Sequence, residues 1–144
     1  MTIRSILCAL DLSQPEIDDR PLLVAADLAR HHGAQLDVMT VVPSFGVGEV
    51  SSFFPEGYQD EAREAARERL VAHVAEVLGA EENARVRHEV AVGKVYREVL
   101  RVAEEAGSDL IVVGAHNPEL RDYLLGSNAA RIARHASCSV YVVR

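Results

Sequence analysis

The sequence predicts an open α/β domain: a five-stranded parallel sheet with helices on both faces. Three observations carry that prediction. Apolar, β-rich runs alternate with segments of helical period from one end of the chain to the other. The fourth run, "DLIVVG", is so continuously apolar that both of its faces are expected to be buried, as in a central parallel strand. Gly33, Gly79 and Gly107 each stand just past a helical pattern, where a left-handed turn ends a helix most readily without a Cβ. Parallel strands joined by helices imply right-handed crossovers.

Taken in order, "IRSILCALD" makes the first strand and passes straight into Asp11. Leu22, Ala25, Ala26 and Ala29 then form the apolar stripe of a first helix. "AQLDVMTVV" is the second strand. The segment "PSFGVGEVSSFFPEGYQD" that follows holds two prolines and all three phenylalanines, and reads as a long flap. Its aromatics either cover a ligand or partner or pack over the sheet end. Ala62, Ala66, Leu70, Val74 and Val77 mark the second helix, and "ARVRHEVAV" the third strand. Val95, Val99, Val102, Ala103 and Ala106 mark the third helix before "DLIVVG". Leu125, Ala129, Ile132, Ala133 and Ala136 mark the fourth, before the last strand, "CSVYVVR". With no internal repeat or linker, residues 1–144 are expected to form one domain.

Composition narrows the partners. The chain is 49% hydrophobic and 26% charged, the balance of a globular protein. Its net charge of -7 argues against nucleic acid and anionic membranes, whose nonspecific binding needs many cationic contacts. Lys94 is the only lysine, and the arginines are spread among helices without a basic run. Cys8 and Cys138 lack metal-site spacing and fit a reduced, cytoplasmic setting. The opening "MTIRSILCAL" is too short for a secretion signal or a membrane span. The six histidines form no converging ligand set, so no structural metal is expected.

In open parallel sheets, ligands sit beyond the carboxyl ends of the strands where the strand order reverses. The residues there are Ala9, Asp11 and Ser13, then Val41 and Pro43, then Gly93, then Gly114, His116 and Asn117. Gly126, Ser127 and Asn128 open the last helix. Unpaired amides at a helix start, backed by the helix dipole, favour an anion by about 0.3 to 1 kcal/mol from the dipole alone. Gly114 and Gly126 allow close approach, and Ser127 and Asn128 offer groups that bond phosphate oxygens. The alternative leaves Gly114 as a tight strand exit and Ser127 as an ordinary N-cap. Asp11 is either a turn-former or an acceptor for a ribose hydroxyl or an adenine amino group.

The combination of "ILCALDLS", "VVGAHNPELRDYLLGSNAARIARHASCSVYVVR" and the order of elements between them resembles the universal stress protein family over the whole chain. The resemblance implies a Rossmann-like, adenine nucleotide alpha hydrolase-like fold with strand order 3-2-1-4-5. In that family the loop after the fourth strand is usually written G-x2-G-x9-G-[ST], and ATP-binding members lay the triphosphate along it. Gly114 matches the first glycine, and Gly126 with Ser127 the final pair. Asp11 and Val41 match the adenine and ribose positions. The middle glycine is replaced by Asn117, Pro118 follows it, and the gap to Gly126 is one residue shorter than usual. Asparagine tolerates the left-handed backbone better than most residues, whereas the proline restricts its neighbour to extended conformations.

The expected function is therefore binding of ATP or a related adenine nucleotide, with Mg²⁺ held mainly by the phosphates, in a stress sensor or regulator. Other members lack the glycines and do not bind ATP, so a nucleotide-free interaction module of the same fold is the alternative. Phosphoryl-transfer catalysis is expected to be absent or slow: there is no GxxxxGK[ST], and "FGVGEV" lacks the third glycine of a dinucleotide fingerprint. A receiver-type phosphoacceptor is disfavoured because the third strand ends in "VAVGK", without an aspartate. The apolar last strand, residues 138–144, leaves an uncovered edge, so a homodimer through that strand is expected.

Overall fold

The computed structural model of the chain describes residues 2–43, 58–115 and 126–144, with only the backbone described at Tyr58. The strands are β1 (Ser5–Ala9), β2 (Gln35–Val42), β3 (Arg87–Val92), β4 (Leu110–Gly114) and β5 (Ser139–Val143). The helices are α1 (Arg20–His32), α2 (Tyr58–Leu78), the single turn α3 (Ala80–Asn83), α4 (Val95–Ala106) and α5 (Ser127–His135). All strand pairings are parallel and the sheet order is β3-β2-β1-β4-β5. This is the predicted open sheet in the strand order the resemblance implies. Of the segment read as a flap, 43–60, residues 44–57 lie outside the described residues and 58–60 belong to α2 rather than to a loop; Leu125, His116, Asn117 and Pro118 also lie outside the described residues.

Side chains alternate along each strand, so the sheet feeds two cores. Ile6 and Cys8, Leu36 and Val38, and Leu110 and Val112 face α1 and α2, meeting Leu22, Ala25, Ala26, Leu70 and Val74. Leu7, Met39, Ile111 and Val113 face α4 and α5, meeting Val99, Val102, Ala103, Ala129 and Ile132. Each fully buried Leu, Ile or Val contributes about 1.5 to 3 kcal/mol, and central β1 and β4 supply such residues to both faces. The one acidic residue buried in this sheet among the described residues, Asp37, is met by the adjacent Arg87 in register on β3. The guanidinium donates to both carboxylate oxygens, Nε to Oδ1 at 2.8 Å and Nη2 to Oδ2 at 3.0 Å.

Gly33 and Gly107 end α1 and α4 in the left-handed region, at φ 64° and 66°, as the sequence predicts. Gly79 does not cap in that way. Its φ of 90° and ψ of 160° are open only to glycine, and the chain uses them to leave α2 and turn directly into α3, a helical turn that hydrophobic periodicity does not reveal. Ala133, placed on the apolar stripe of α5 by periodicity, is exposed; the stripe runs through Ala129, Ile132 and Ala136.

The two faces decide where a crevice opens. From β1 the chain moves on to α1 on one face, and from the adjacent β4 it moves on to α5 on the other. The carboxyl ends of β1 and β4 are thus the topological switch point of the sheet.

Candidate functional site

On the β1 side the wall of the crevice is a short, self-bonded turn. Leu10 N–H continues the sheet by donating to the Met39 carbonyl at 2.9 Å, and the Leu10 carbonyl accepts from the buried Thr40 hydroxyl at 2.9 Å. Asp11 follows, exposed, and its Oδ1 accepts from both the Ser13 amide at 2.8 Å and the Ser13 hydroxyl at 2.5 Å. This is an Asx turn, so Asp11 shapes the chain as it leaves β1. Among the described residues no donor reaches its other oxygen, Oδ2, which remains open as an acceptor. Ala9 is half-buried at the end of β1, and Val41, half-buried on the neighbouring β2, packs against the core under α4 and α5.

On the β4 side the chain is closed by backbone bonds. Ala115 N–H donates to the Val143 carbonyl at 2.8 Å, and the Ala115 carbonyl accepts from Gly126 N–H at 3.2 Å. The end of β4 and the start of α5 are thereby fastened together. Gly126 is the N-cap of α5, and Ser127 is the first helical residue rather than the cap. Among the described residues no side chain caps the helix, and its first internal bond is Ala130 N–H to the Gly126 carbonyl at 3.0 Å. The amides of Ser127, Asn128 and Ala129 consequently have no acceptor among the described residues, and the side chains of Ser127 and Asn128 are exposed beside them. This is the chemistry of an anion seat, and it fits a phosphate.

The three site glycines differ in what they leave room for. A Cβ on Gly114 would lie 3.2 Å from Pro21 Cγ and 3.8 Å from Asp18 Oδ2, so the missing side chain is filled by the start of α1. Close approach at Gly114 is therefore made by protein, and the carboxylate of Asp18 stands there with Arg20 bonded to both its oxygens at 2.8 Å. Gly93 has φ +148°, and a Cβ added to it would lie 3.2 Å from Glu98 Cγ; it follows β3, two strands from β1 and about 10 Å away by strand spacing. Gly126 has φ -60° and ψ 151°, which any residue adopts, so nothing in its conformation demands a glycine.

The structure thus sets Ala9, Asp11 and Ser13 at the end of β1, beside the Gly114–Ala115 exit of β4 to which Gly126 is bonded at the start of α5, with Val41 on the other side on β2. Gly93 stands one strand further out, past the end of β3, with its N–H donating to the Val42 carbonyl at 3.0 Å. His116 and Asn117 fall outside the described residues. Periodicity and motif spacing do not single out Thr40, which holds the Leu10 carbonyl, or Pro21 and Asp18, which fill the space at Gly114. The "DDRP" stretch before α1 carried a usable signal, an acidic pair preceding a proline at an early helical position.

Comparison with known proteins decides the family. The model of the universal stress protein family matches residues 2–144. The chain belongs to that family. Among curated members, universal stress protein G of Shigella flexneri is 31% identical over 143 residues, covering 98% of this chain and 99% of the relative. Among solved structures of the family, UspA from Lactobacillus plantarum superposes with a TM-score of 0.71 at 24% identity, covering 100% of this chain and 99% of that one. A universal stress protein in complex with cAMP gives 0.63 at 20% identity, covering 100% and 99%. The Archaeoglobus fulgidus family member in complex with dAMP gives 0.65 at 21% identity, covering 100% of both chains. These likenesses agree on the fold.

Proposed function

We propose that this universal stress protein binds ATP or a related adenine nucleotide in the crevice between β1 and β4 and acts as a stress-response sensor or regulator. The observation that carries the proposal is the start of α5, whose first amides have no acceptor among the described residues and which the Gly126 N–H bond to the Ala115 carbonyl holds at the switch point of the sheet. Family members in complex with cAMP and with dAMP support an adenine nucleotide as the ligand class. In this reading the phosphates accept from the amides and side chains of Ser127 and Asn128 over Gly126. Asp11 Oδ2 accepts from ribose or base, and Val41 gives the base an apolar wall. Mg²⁺, where present, is held mainly by the phosphates. Pro21 and Asp18 fill the space at Gly114, so the phosphate chain runs toward α5.

Isothermal calorimetry of the purified protein with AMP, ADP and ATP, with and without magnesium, tests the proposal. Saturable binding of at least one of them at one site per chain is expected. Heat indistinguishable from dilution for all of them overturns it in favour of the nucleotide-free interaction module.

The same proposal includes a homodimer through β5. Among the described residues that strand pairs only with β4, and Tyr141 on it is 45% exposed, one of two large hydrophobic side chains left in solvent there. Light scattering at micromolar concentration is expected to give the dimer mass, and Tyr141→Arg to give the monomer. A monomeric mass for the unaltered chain refutes this assembly.

A further inference from the structure

The nucleotide site leaves one feature of the carboxyl end of the sheet unused. α4 and α5 start at this end, side by side and parallel, and the ring of Tyr96 in the first turn of α4, half-buried against the core, meets Arg131 of α5. The Arg131 guanidinium carbon stands 4.9 Å from the ring centroid and that of Arg97 5.8 Å from it. Arg97 Nε donates to the Tyr96 hydroxyl oxygen at 3.1 Å, which leaves the phenol hydrogen to point elsewhere. Lys94, the only lysine in the chain, is the N-cap of α4, and its charge also acts on the phenol.

Among the described residues none of Lys94, Arg97 and Arg131 has a carboxylate partner, although other arginines of the same helical layer and of the sheet do. The nearest acid on α4, Glu98, is committed to Arg101 at 2.9 Å. Two guanidinium groups at the ring and an ammonium at the N-cap two residues before it repel one another, and in a chain of net charge -7 they make a local cationic surface with no carboxylate partner among the described residues. Its chemistry, two guanidinium forks, an ammonium and a phenol O–H, is donor-only toward an anion and suits phosphoryl oxygens. Its place suits a chain of them: Arg131 stands four residues into α5 from Ser127, about 6 Å along the helix axis.

We propose that Lys94, Arg97 and Arg131 around Tyr96 form a second seat for phosphoryl groups, so that the protein selects ligands by the length of their phosphate chain. For the nucleotide in the crevice this rests on the reading above. The chain crosses from the amides of Ser127 toward Arg131, and AMP occupies the first seat alone. The same seat can also take the phosphates of a separate ligand.

The test compares AMP, ATP and inorganic tripolyphosphate by calorimetry at one fixed ionic strength. It uses the full chain and a variant combining Lys94→Gln, Arg97→Gln and Arg131→Gln. All three side chains are exposed, so the variant is expected to fold, and its melting curve checks this; should it not fold, Arg131→Gln alone takes its place. The unaltered chain is expected to bind ATP about tenfold or more tightly than AMP, a gain of one or two charge-assisted bonds. In the variant AMP affinity is retained and the ATP advantage falls to about threefold or less. An unchanged ATP-to-AMP ratio in the variant overturns the proposal. If neither nucleotide binds, the crevice reading fails by itself; tripolyphosphate that binds the unaltered chain and not the variant then establishes the second seat for a separate ligand. Failure of all three ligands sinks both.

Discussion

Replacing Gly126 with valine separates binding from folding. The residue sits at φ -60° and ψ 151°, a conformation that suits a β-branched side chain, so no backbone strain is introduced. What valine loses is the preference for glycine over an aliphatic residue at an N-cap, about 1 kcal/mol against a total stability of about 5 to 15 kcal/mol. For a domain of this size that lowers the melting temperature by about 4 °C. The side chain would stand at the mouth of the α5 amides. If it blocks two bonds to a phosphate at about 1.5 kcal/mol each, affinity falls by about a hundredfold. Calorimetry with the tightest-binding adenine nucleotide, together with thermal melting, reads both quantities. Unaltered affinity in a folded Gly126→Val variant would show that the anion does not sit at this helix start.

Three other perturbations have defined outcomes. Gly114→Ala sets a Cβ 3.2 Å from Pro21 Cγ and should cost about 1 to 2 kcal/mol of stability in denaturant melts while leaving nucleotide affinity nearly unchanged; the opposite pattern, lost affinity at full stability, would make Gly114 a ligand contact. The hydrogen bond from Arg97, opposed by burial and assisted by the charges of Arg97, Arg131 and Lys94, lowers the Tyr96 pKa below its ordinary value. A spectrophotometric difference titration against Tyr96→Phe should therefore show Tyr96 ionising below the ordinary tyrosine pKa, and later in Arg97→Gln; a Tyr96 transition at the ordinary value that Arg97→Gln leaves unmoved would contradict the cluster. Burial, and then the charge of Arg67, lower the His88 pKa. The unfolded chain, protonating near pH 6.5, then binds the extra proton first. The stability associated with neutral His88 is present above about pH 6.5 and lost as pH falls through the lower folded value, so the melting temperature should drop on acidification less steeply in His88→Gln than in the unaltered chain.

Much of the fold was legible because its signals are local. The five apolar runs and four stripes follow from side-chain direction alone, and Gly33 and Gly107 sit where a left-handed cap is cheapest. Gly79 misled for a physical reason. A positive φ is needed there too, but with ψ 160° it launches a second helical turn instead of closing the first, and one glycine looks the same in both uses. The candidate site was legible as a list of strand ends, since the rule that places ligands there depends only on topology. Which glycine faces a ligand was not, because that depends on contacts between distant segments: Pro21 of α1 fills the space at Gly114, and Glu98 that at Gly93. Asp11 shows both readings at once, one oxygen bound in its own turn and the other open. The cationic ring around Tyr96 escaped notice because Arg131 lies 35 residues away from it in sequence and meets it only when α4 and α5 pack.

The central claim is that an adenine nucleotide lies across the carboxyl ends of β1 and β4 with its phosphates at the start of α5. An amide-resolved NMR titration with AMP tests it most directly. The account predicts shifts concentrated at Ala9 to Ser13, Val41, Ala115 and Gly126 to Ala129, with the Asp37–Arg87 end of the sheet unmoved. A spectrum that does not respond to AMP, or one that responds only at the amino ends of the strands, would contradict it.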